Sequence, residues 1–348
     1  MGALIKIEGF DWIDEVPIVY TIYSGTPTTV GASETRYNSG RALSLADQNT
    51  MIKIPTQTSD SGAMGFAFKC TSIGTSSSDI ILLHGGSDNG GAALALRLNT
   101  DGTLSIRDGV PSSIITSTNA MISNQWYYVE WLFELTNSTN EPGYVRVDGQ
   151  NWITVTTTTD TRAAADDGIS SMVFKGHIDG TTYYDDIYAS SHQSGLLGDM
   201  QIIALSPTGD GALNTWDGND GNDVDNYQRV DETGDPDEDL TYVYTTGDEN
   251  LEMYRFSDLP VTANKIFGIE LITRAKRSGV GEMVVAQDFL TDSTTTEPTD
   301  GRTQLGTTFN WTRTLLEENP DTSSLFSEAE VNNLHFGSKS YTGNIANI

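Results

Sequence analysis

The chain has 348 residues, with 48 acidic residues (Asp and Glu) against 19 basic residues (Lys and Arg), and its formal net charge is −29 at pH 7. This length predicts two domains. The scarcity of Lys and Arg excludes proteins that hold nucleic acid or an anionic membrane surface through clustered cations. The single Cys excludes an intrachain disulfide framework and a Cys-rich zinc site.

The N-terminal sequence MGALIKIEGFDWIDEVP does not have the pattern of a signal peptide, because its apolar run is short and acids follow at once. No run of about 18 apolar residues is present, so the sequence predicts no membrane insertion. We therefore expect a protein that is made in the cytoplasm and does not leave the cell by the signal-peptide route.

Strand patterns punctuated by turn residues dominate the chain, and no long segment has helical periodicity. Two hairpins are clear. Ala93–Asn99 and Thr103–Arg107 flank an Asp-Gly turn, and Tyr144–Val147 and Trp152–Val155 flank another. Asp-Gly favours the tight turn of a hairpin because that turn needs positive φ. The pattern predicts an all-β fold built from sandwiches.

Between the hairpins, Trp126–Leu135 predicts a long strand with two different faces. Every second residue from Tyr127 is apolar, whereas the alternate face carries Glu130 and Glu134. A strand with one apolar and one mixed face is typical of a sandwich. We expect both glutamates to lie on a solvated sheet face.

The chain divides at a Gly- and Ser-rich stretch that follows a predicted strand at Tyr183–Ala189. We predict a first sandwich domain at 1–195 and a second at 196–348, which would begin with a strand at Met200–Leu205. An acidic loop region at 207–252 holds 14 of the acids and one base. We expect this region to be exposed or bound to a cation.

Ser327–Leu334 predicts a single helical turn near the C-terminus. Ser327 stands at the N-cap position and Glu330 follows three residues later. This spacing is a capping box, in which each side chain bonds the backbone N–H of the other residue.

Several segments, taken in order, resemble two known parts of a group of tailed-phage virion proteins. The first five are similar to a concanavalin A-like, laminin-G-like jelly roll: TRYNSGRALSL (35–45), LRLNTDGTLSIRDG (96–109), NQWYYVEW (124–131), VRVDG (145–149) and YYDDIYAS (183–190). The remaining four resemble the second half of those proteins: LGDMQIIALSPTGDGALNTW (197–216), VDE (230–232), DEDLTYV (237–243) and EAEVNNLHFGSK (328–339).

The resemblance implies a non-enzymatic structural protein on the outside of a phage particle, either a head decoration or a tail or fibre component. Its partners would be copies of itself, in a homo-oligomer, and other virion proteins. The virion would be its location. The alternative is a carbohydrate-binding adhesin that attaches to a host surface glycan.

A glycosidase is a further alternative, because some concanavalin A-like sandwiches are glycosidases, with a strand that carries a Glu-x-Asp-x-x-Glu or Glu-x-Asp-x-Glu motif. Here Leu132 stands where that Asp would be, between Glu130 and Glu134. Four residues of strand place the two Cα atoms about 13 Å apart. Retaining and inverting enzymes hold their carboxyl groups about 5–5.5 Å and about 6.5–9.5 Å apart, respectively. We expect no catalytic residues.

Calcium is the one candidate cofactor. The segment DGNDGNDVDN (217–226) places oxygen ligands at short intervals, although it does not match the EF-hand spacing. Its candidate ligands are Asp217, Asn219, Asp220, Asp223 and Asp225. The laminin-G-like resemblance implies a second candidate at Asp185 and Asp186. The alternatives are a solvated acidic loop and an acidic pair near a turn.

Aromatic residues beside polar loops are the candidates for sugar contacts. They are Trp152, Tyr183, Tyr184, Trp216 and Tyr227. The alternative for each is a place in the hydrophobic core, where aromatic residues of sandwiches more often lie.

Overall fold

The computed structural model of the protein describes residues 4–14, 16, 20–85, 92–108, 113–135, 143–155, 168–191, 195–232, 234–279, 281–291, 294–298 and 302–342. The chain forms two compact units, Met1–Ile203 and Ala204–Ile348. Antiparallel strands make up both, and the described residues contain one short α-helix. The predicted all-β class is therefore confirmed. Within the described ranges, no helix is long and apolar enough to cross a membrane.

Unit 1 holds the first fifteen strands. They are β1 (Leu4–Glu8), β2 (Thr21–Ser24), β3 (Thr28–Val30), β4 (Ala42–Leu45), β5 (Met51–Ser59), β6 (Ser61–Cys70), β7 (Ser78–Gly85), β8 (Ala92–Leu98), β9 (Thr103–Asp108), β10 (Ser113–Ala120), β11 (Tyr127–Glu134), β12 (Tyr144–Val147), β13 (Gln150–Thr154), β14 (Ile169–Lys175) and β15 (Thr182–Ser191).

These strands form two sheets that pack as a sandwich. An eight-stranded sheet has the order β13-β12-β11-β6-β15-β4-β3, with β1 paired to β15, and a seven-stranded sheet has the order β10-β9-β8-β7-β14-β5-β2. The core lies between them. Phe66 of β6 meets Phe174 of β14 edge to face, with ring centroids 5.9 Å apart. Burying each such ring contributes about 1.5–3 kcal/mol.

Strand alternation decides which side chains enter this core. In β11, Val129 and Trp131 are buried in it, as the sequence pattern predicts. Glu130 therefore points to the outer face of the eight-stranded sheet. In the seven-stranded sheet, Leu96 of β8 and Ile106 of β9 enter the core. The residues next to each of them along its own strand therefore point outward.

Unit 2 holds the remaining strands and the helix. They are β16 (Pro207–Asn214), β17 (Asp217–Gly218), β18 (Val243–Tyr244), β19 (Leu251–Phe256), β20 (Ile269–Ala275), β21 (Met283–Thr291), β22 (Thr294–Thr296), β23 (Arg302–Gln304), β24 (Asn310–Leu316), α1 (Glu328–Asn332) and β25 (His335–Thr342).

A six-stranded sheet forms the main layer of unit 2, with the order β16-β19-β25-β21-β22 and β23 paired to β21. The β20–β24 ribbon packs on it through a small core that includes Leu271, Phe289 and Phe336. The predicted capping box is confirmed, because Ser327 and Glu330 each accept a hydrogen bond from the other's backbone N–H.

The strand predicted at Met200–Leu205 is wrong. Residues 201–206 form no strand, and β16 begins at Pro207. Ile202 donates its backbone N–H to the Asp186 carboxylate at 2.7 Å instead of to a neighbouring strand. Residues 197–202, here called the strap, belong to unit 1.

Candidate functional site

The strap lies over a group of polar side chains on the outer face of the eight-stranded sheet. We call this group the polar cluster; it consists of Arg36, Tyr128, Glu130, Asp186 and Tyr188. Glu130 is 1% exposed and Tyr188 is fully buried. The prediction that Glu130 lies on a solvated face is therefore wrong, because the strap covers it.

Glu130 receives two hydrogen bonds that tie the strap to the sheet. Its Oε1 accepts from the Tyr188 hydroxyl at 2.8 Å and from the backbone N–H of Gly198 at 2.7 Å. The Tyr188 hydroxyl in turn accepts from the backbone N–H of Leu197 at 3.0 Å. A buried carboxylate needs such donors, since an unpaired one costs several kcal/mol.

Gly65 makes the Tyr188–Glu130 contact possible. Gly65 of β6 pairs with Glu130 on one side and with Tyr188 on the other. A Cβ atom added at Gly65 would lie 2.1 Å from Cε1 of Tyr188. The Tyr188 ring therefore crosses β6 over the glycine to reach Glu130.

Arg36 holds the other end of the strap. Its Nη1 donates to the Met200 carbonyl at 3.2 Å and lies 3.6 Å from the Asp186 carboxylate. Its guanidinium also lies over the Tyr128 ring, 4.9 Å from the ring centroid. Arg36 thus supplies the positive charge for a buried aspartate.

A β-bulge explains how Asp185 and Asp186 lie on the same side of β15. The pairing of β15 with β6 shifts by one residue between Asp185 and Tyr188, and Asp186 has a left-handed φ of 50°. Asp185 Oδ1 accepts from the backbone N–H of Asp186 at 2.9 Å. Burial raises the pKa of both carboxyl groups well above the ordinary range of Asp.

The pair does not fit the calcium site that the laminin-G-like resemblance implies. One oxygen of Asp186 accepts from the Ile202 N–H, and the guanidinium of Arg36 lies near the other. The Arg36 guanidinium thus already provides a positive charge beside this carboxylate. Among the described residues, no group of three or more carboxylate, imidazole or thiolate side chains is arranged to hold a metal ion.

The candidate calcium loop at 217–226 is exposed along most of its length. Two of its candidate ligands have other partners: Asp220 accepts from Asn222 and pairs with Arg229, and the Asn219 amide donates to the Leu240 carbonyl. The structure does not bring the carboxylates of Asp217, Asp220, Asp223 and Asp225 together as a metal site.

Glu252 anchors the acidic loop region to the unit 2 sheet. This fully buried carboxylate accepts from the backbone N–H groups of Thr215 and Trp216, each at 2.9 Å. It also accepts from the Asn226 amide at 2.8 Å. Burial raises its pKa, and these donors oppose the rise.

The predicted sugar-contacting aromatics lie at separate places. Tyr184 is a core residue with no exposed surface, so its ring is not available to a ligand. Trp152 is partly buried against the core and meets Tyr127 edge to face. Tyr183 lies beside the Lys69 ammonium, whose Nζ is 4.6 Å from the ring centroid.

The two remaining candidates belong to unit 2 and are half-buried. The Trp216 indole N–H donates to the Asn250 carbonyl at 3.1 Å. The backbone N–H of Tyr227 donates to Asp210 at 3.1 Å. The structure therefore does not bring the five predicted aromatics together into one surface.

A different aromatic pair is exposed on unit 2, formed by Tyr242 and Tyr244 and here called the tyrosine pair. Their side chains are 38% and 41% exposed. The ring centroids are 6.2 Å apart with an interplanar angle of 61°. Residues two apart in an extended segment point to the same side, and this spacing is the sequence signal that could have identified the pair.

Polar groups surround the tyrosine pair. Tyr244 is the strand partner of Asp217, and the Tyr242 carbonyl accepts from the backbone N–H of Asn219 at 2.9 Å. The side-chain oxygen of Asn219 is buried and has no hydrogen-bond partner. Leu240, two residues before Tyr242, is exposed as well. The pair thus combines an apolar surface with hydroxyl and carboxylate groups.

Comparisons with known proteins give only distant structural similarities. No protein-family model and no curated protein matches the sequence. A sialidase from Trypanosoma rangeli matches at 14% identity and a TM-score of 0.34, covering 44% of this chain and 27% of the sialidase chain. The chain thus spans about a quarter of that protein.

Two smaller proteins match over nearly their whole length. An endo-β-1,4-glucuronan lyase from the fungus Trichoderma reesei matches at 11% identity and a TM-score of 0.39, covering 51% of this chain and 94% of the lyase. The carbohydrate-binding module CBM66 from Bacillus subtilis matches at 12% identity and a TM-score of 0.34, with coverages of 49% and 95%. At these values the similarity carries no conclusion about what this chain binds.

Proposed function

We propose that the protein is a non-enzymatic carbohydrate-binding protein that attaches to a surface glycan. The observation that carries the proposal is the tyrosine pair, whose two rings are exposed side by side next to carboxylate, amide and hydroxyl groups. Tyrosine offers a large, rigid contact area with a polar tip at a low entropic cost. Such a surface suits a sugar, which presents apolar C–H faces and a rim of hydroxyls.

The covered outer face of unit 1 supports a binding role over a catalytic one. Glu130, the carboxylate closest to a glycosidase motif, already accepts hydrogen bonds from two donors of its own chain. The strap occupies the space in which a substrate would approach it. A general acid or nucleophile must instead come within about 3 Å of its substrate atom.

A glycan array followed by calorimetric titration tests the proposal. We expect Tyr242→Ala and Tyr244→Ala each to weaken glycan binding about tenfold, which corresponds to about 1.4 kcal/mol. The matched control is Tyr37→Ala, since Tyr37 is 43% exposed but lies in unit 1. Absence of binding at millimolar sugar would contradict the proposed function, and binding that the Tyr244 variant leaves unchanged would refute the tyrosine pair as its site.

The ordered sequence motifs support a second proposal: a structural protein on the outside of a tailed-phage particle. Its net charge of −29 suits a surface that faces solvent, because a large charge of one sign opposes nonspecific association. Both roles are compatible, since an exterior virion protein can also carry an adhesin surface. Mass spectrometry of purified particles tests this role, and absence of the chain from them would rule it out.

A further inference from the structure

The outer face of the seven-stranded sheet in unit 1 has a charge opposite to that of the rest of the protein. Its strands contain four basic residues, Lys53, Arg97, Arg107 and Lys175, against the two acids Asp79 and Asp108. The whole chain has 19 basic and 48 acidic residues.

Strand alternation places all four basic side chains on this outer face. Ile52 and Ile54 enter the core on either side of Lys53, and Leu96 and Leu98 do so on either side of Arg97. Ile106 and Phe174 are core residues as well, so Arg107 and Lys175, which follow them, point outward. We call this surface the basic face.

Two guanidinium groups of the basic face share a single carboxylate. Arg97 Nε donates to Asp79 at 2.8 Å, and Arg107 Nη1 lies 3.0 Å from both oxygens of the same carboxylate. Arg107 is 9% exposed, and its Nε is a buried donor without an acceptor. One carboxylate shared by two guanidinium groups leaves this group of three side chains with a net positive charge.

Hydroxyl groups lie directly beside this arginine pair. Ser105 is the strand partner of Arg97, and its Oγ is 2.9 Å from Oγ1 of Thr116. Asn99 donates to the same Ser105 hydroxyl at 2.6 Å. Thr116 is exposed. A ligand that places an anionic group on the arginines would thus have the exposed Thr116 hydroxyl near it.

A row of small or apolar residues leads from Arg107 to a second cation. The register connects Arg107, Ala95, Leu82, Val173 and Lys53 on five consecutive strands. Strands lie about 4.8 Å apart, so the two ends of the row are separated by about 19 Å. Ala95 and Val173 are buried within this row, whereas Leu82 and Lys53 are partly exposed. A polymer with repeated negative charges is long enough to span this distance.

We propose that the basic face binds an acidic polysaccharide and that Arg97 and Arg107 hold one of its carboxylate groups. Guanidinium groups match carboxylates in geometry and form charge-assisted hydrogen bonds with them. The inference deepens the proposed carbohydrate-binding function, on which it rests, but it uses a different surface from the tyrosine pair.

Polygalacturonate and its methyl-esterified form are matched probes, since they share a backbone and differ in charge. We expect the full chain to bind polygalacturonate, and Arg97→Gln to weaken that binding about tenfold or more. Arg107 remains to pair with Asp79 in this variant, so unit 1 should stay folded, which circular dichroism checks. Arg146→Gln is the control, because Arg146 lies on the other sheet and donates to Asn151.

The possible results separate this inference from the proposed function. Equal affinity for the two polymers, no binding of polygalacturonate, or binding that Arg97→Gln leaves unchanged would overturn the acidic-ligand site. Loss of binding in Tyr244→Ala but not in Arg97→Gln would place the glycan at the tyrosine pair and refute only the basic face. If Arg97→Gln and not Arg146→Gln removes binding, while Tyr244→Ala has no effect, the basic face is supported and the tyrosine pair is not.

Discussion

Replacing Gly65 with alanine tests the central contact of the polar cluster. The new Cβ atom would lie 2.1 Å from Tyr188 Cε1, so the ring must move. Overpacking of this kind costs about 1–3 kcal/mol. Movement of the Tyr188 hydroxyl also breaks its buried bond to Glu130 and its partly buried bond from the Leu197 N–H, at about 1–3 kcal/mol.

The gain in strand propensity from Gly to Ala offsets about 0.5–1 kcal/mol of this loss. We therefore expect Gly65→Ala to destabilise unit 1 by about 1–5 kcal/mol, measured by urea unfolding followed by tryptophan fluorescence. Gly31→Ala is the matched control, because a Cβ there meets no atom within 4 Å and its φ is −79°. We expect this variant to stay within about 0.5 kcal/mol of the wild type.

A second substitution identifies the cause. If the Tyr188 ring is what the new Cβ meets, the penalty of Gly65→Ala should largely disappear in a Tyr188→Ala background, because the ring is then absent. The reasoning fails if Gly65→Ala unfolds like Gly31→Ala, or if its penalty is the same with and without the Tyr188 ring.

Three further predictions concern charge and metal. Burial raises the pKa of Asp288 to about 6, and the Glu297 charge adds to this rise. The pKa of Asp in the unfolded chain is about 3.9, so the free energy of unfolding falls as the pH rises from about 4 to about 6. Asp288→Asn should stabilise unit 2 by about 1–3 kcal/mol at pH 8 and little at pH 4 in urea unfolding, and an equal effect at both pH values would contradict this. Arg36→Met leaves the Asp186 carboxylate buried without its cation. It should lower the free energy of unfolding of unit 1 by about 2–4 kcal/mol at pH 8, and by less at pH 5, where Asp186 takes up a proton. A loss of stability that does not depend on pH would refute the pairing. Since the acids at 217–225 do not converge, millimolar calcium or EDTA should leave Tm unchanged, and a shift above about 2 °C would show a metal site.

Local sequence chemistry predicts the hairpins and the helix cap well. The Asp101-Gly102 turn joins β8 to β9, and Ser327 caps the helix through the expected pair of bonds. Such features depend on residues a few positions apart. The apolar alternation of β11 likewise identifies Trp131 as a core residue without knowledge of its neighbours.

Contacts between distant residues account for what the sequence did not reveal. Glu130 looked solvated because its own strand alternates, whereas its donors Tyr188 and Gly198 follow 58 and 68 residues later. The bulge at Asp186 breaks the period of two, so two adjacent aspartates point to the same side. Met200–Leu205 has strand-like composition, but Asp186 of the sheet below accepts the Ile202 N–H, as Glu130 accepts that of Gly198.

The strap also has a mechanical consequence. The chain passes from the strap through Ile203 into unit 2, which begins at Ala204, so a force that pulls on the backbone at residue 203 acts first on the strap. The first bonds in this path are those of Ile202 to Asp186, of Arg36 to the Met200 carbonyl and of Gly198 to Glu130. A pull along the backbone therefore loads these bonds one after another, from residue 202 towards residue 198, before it reaches β15.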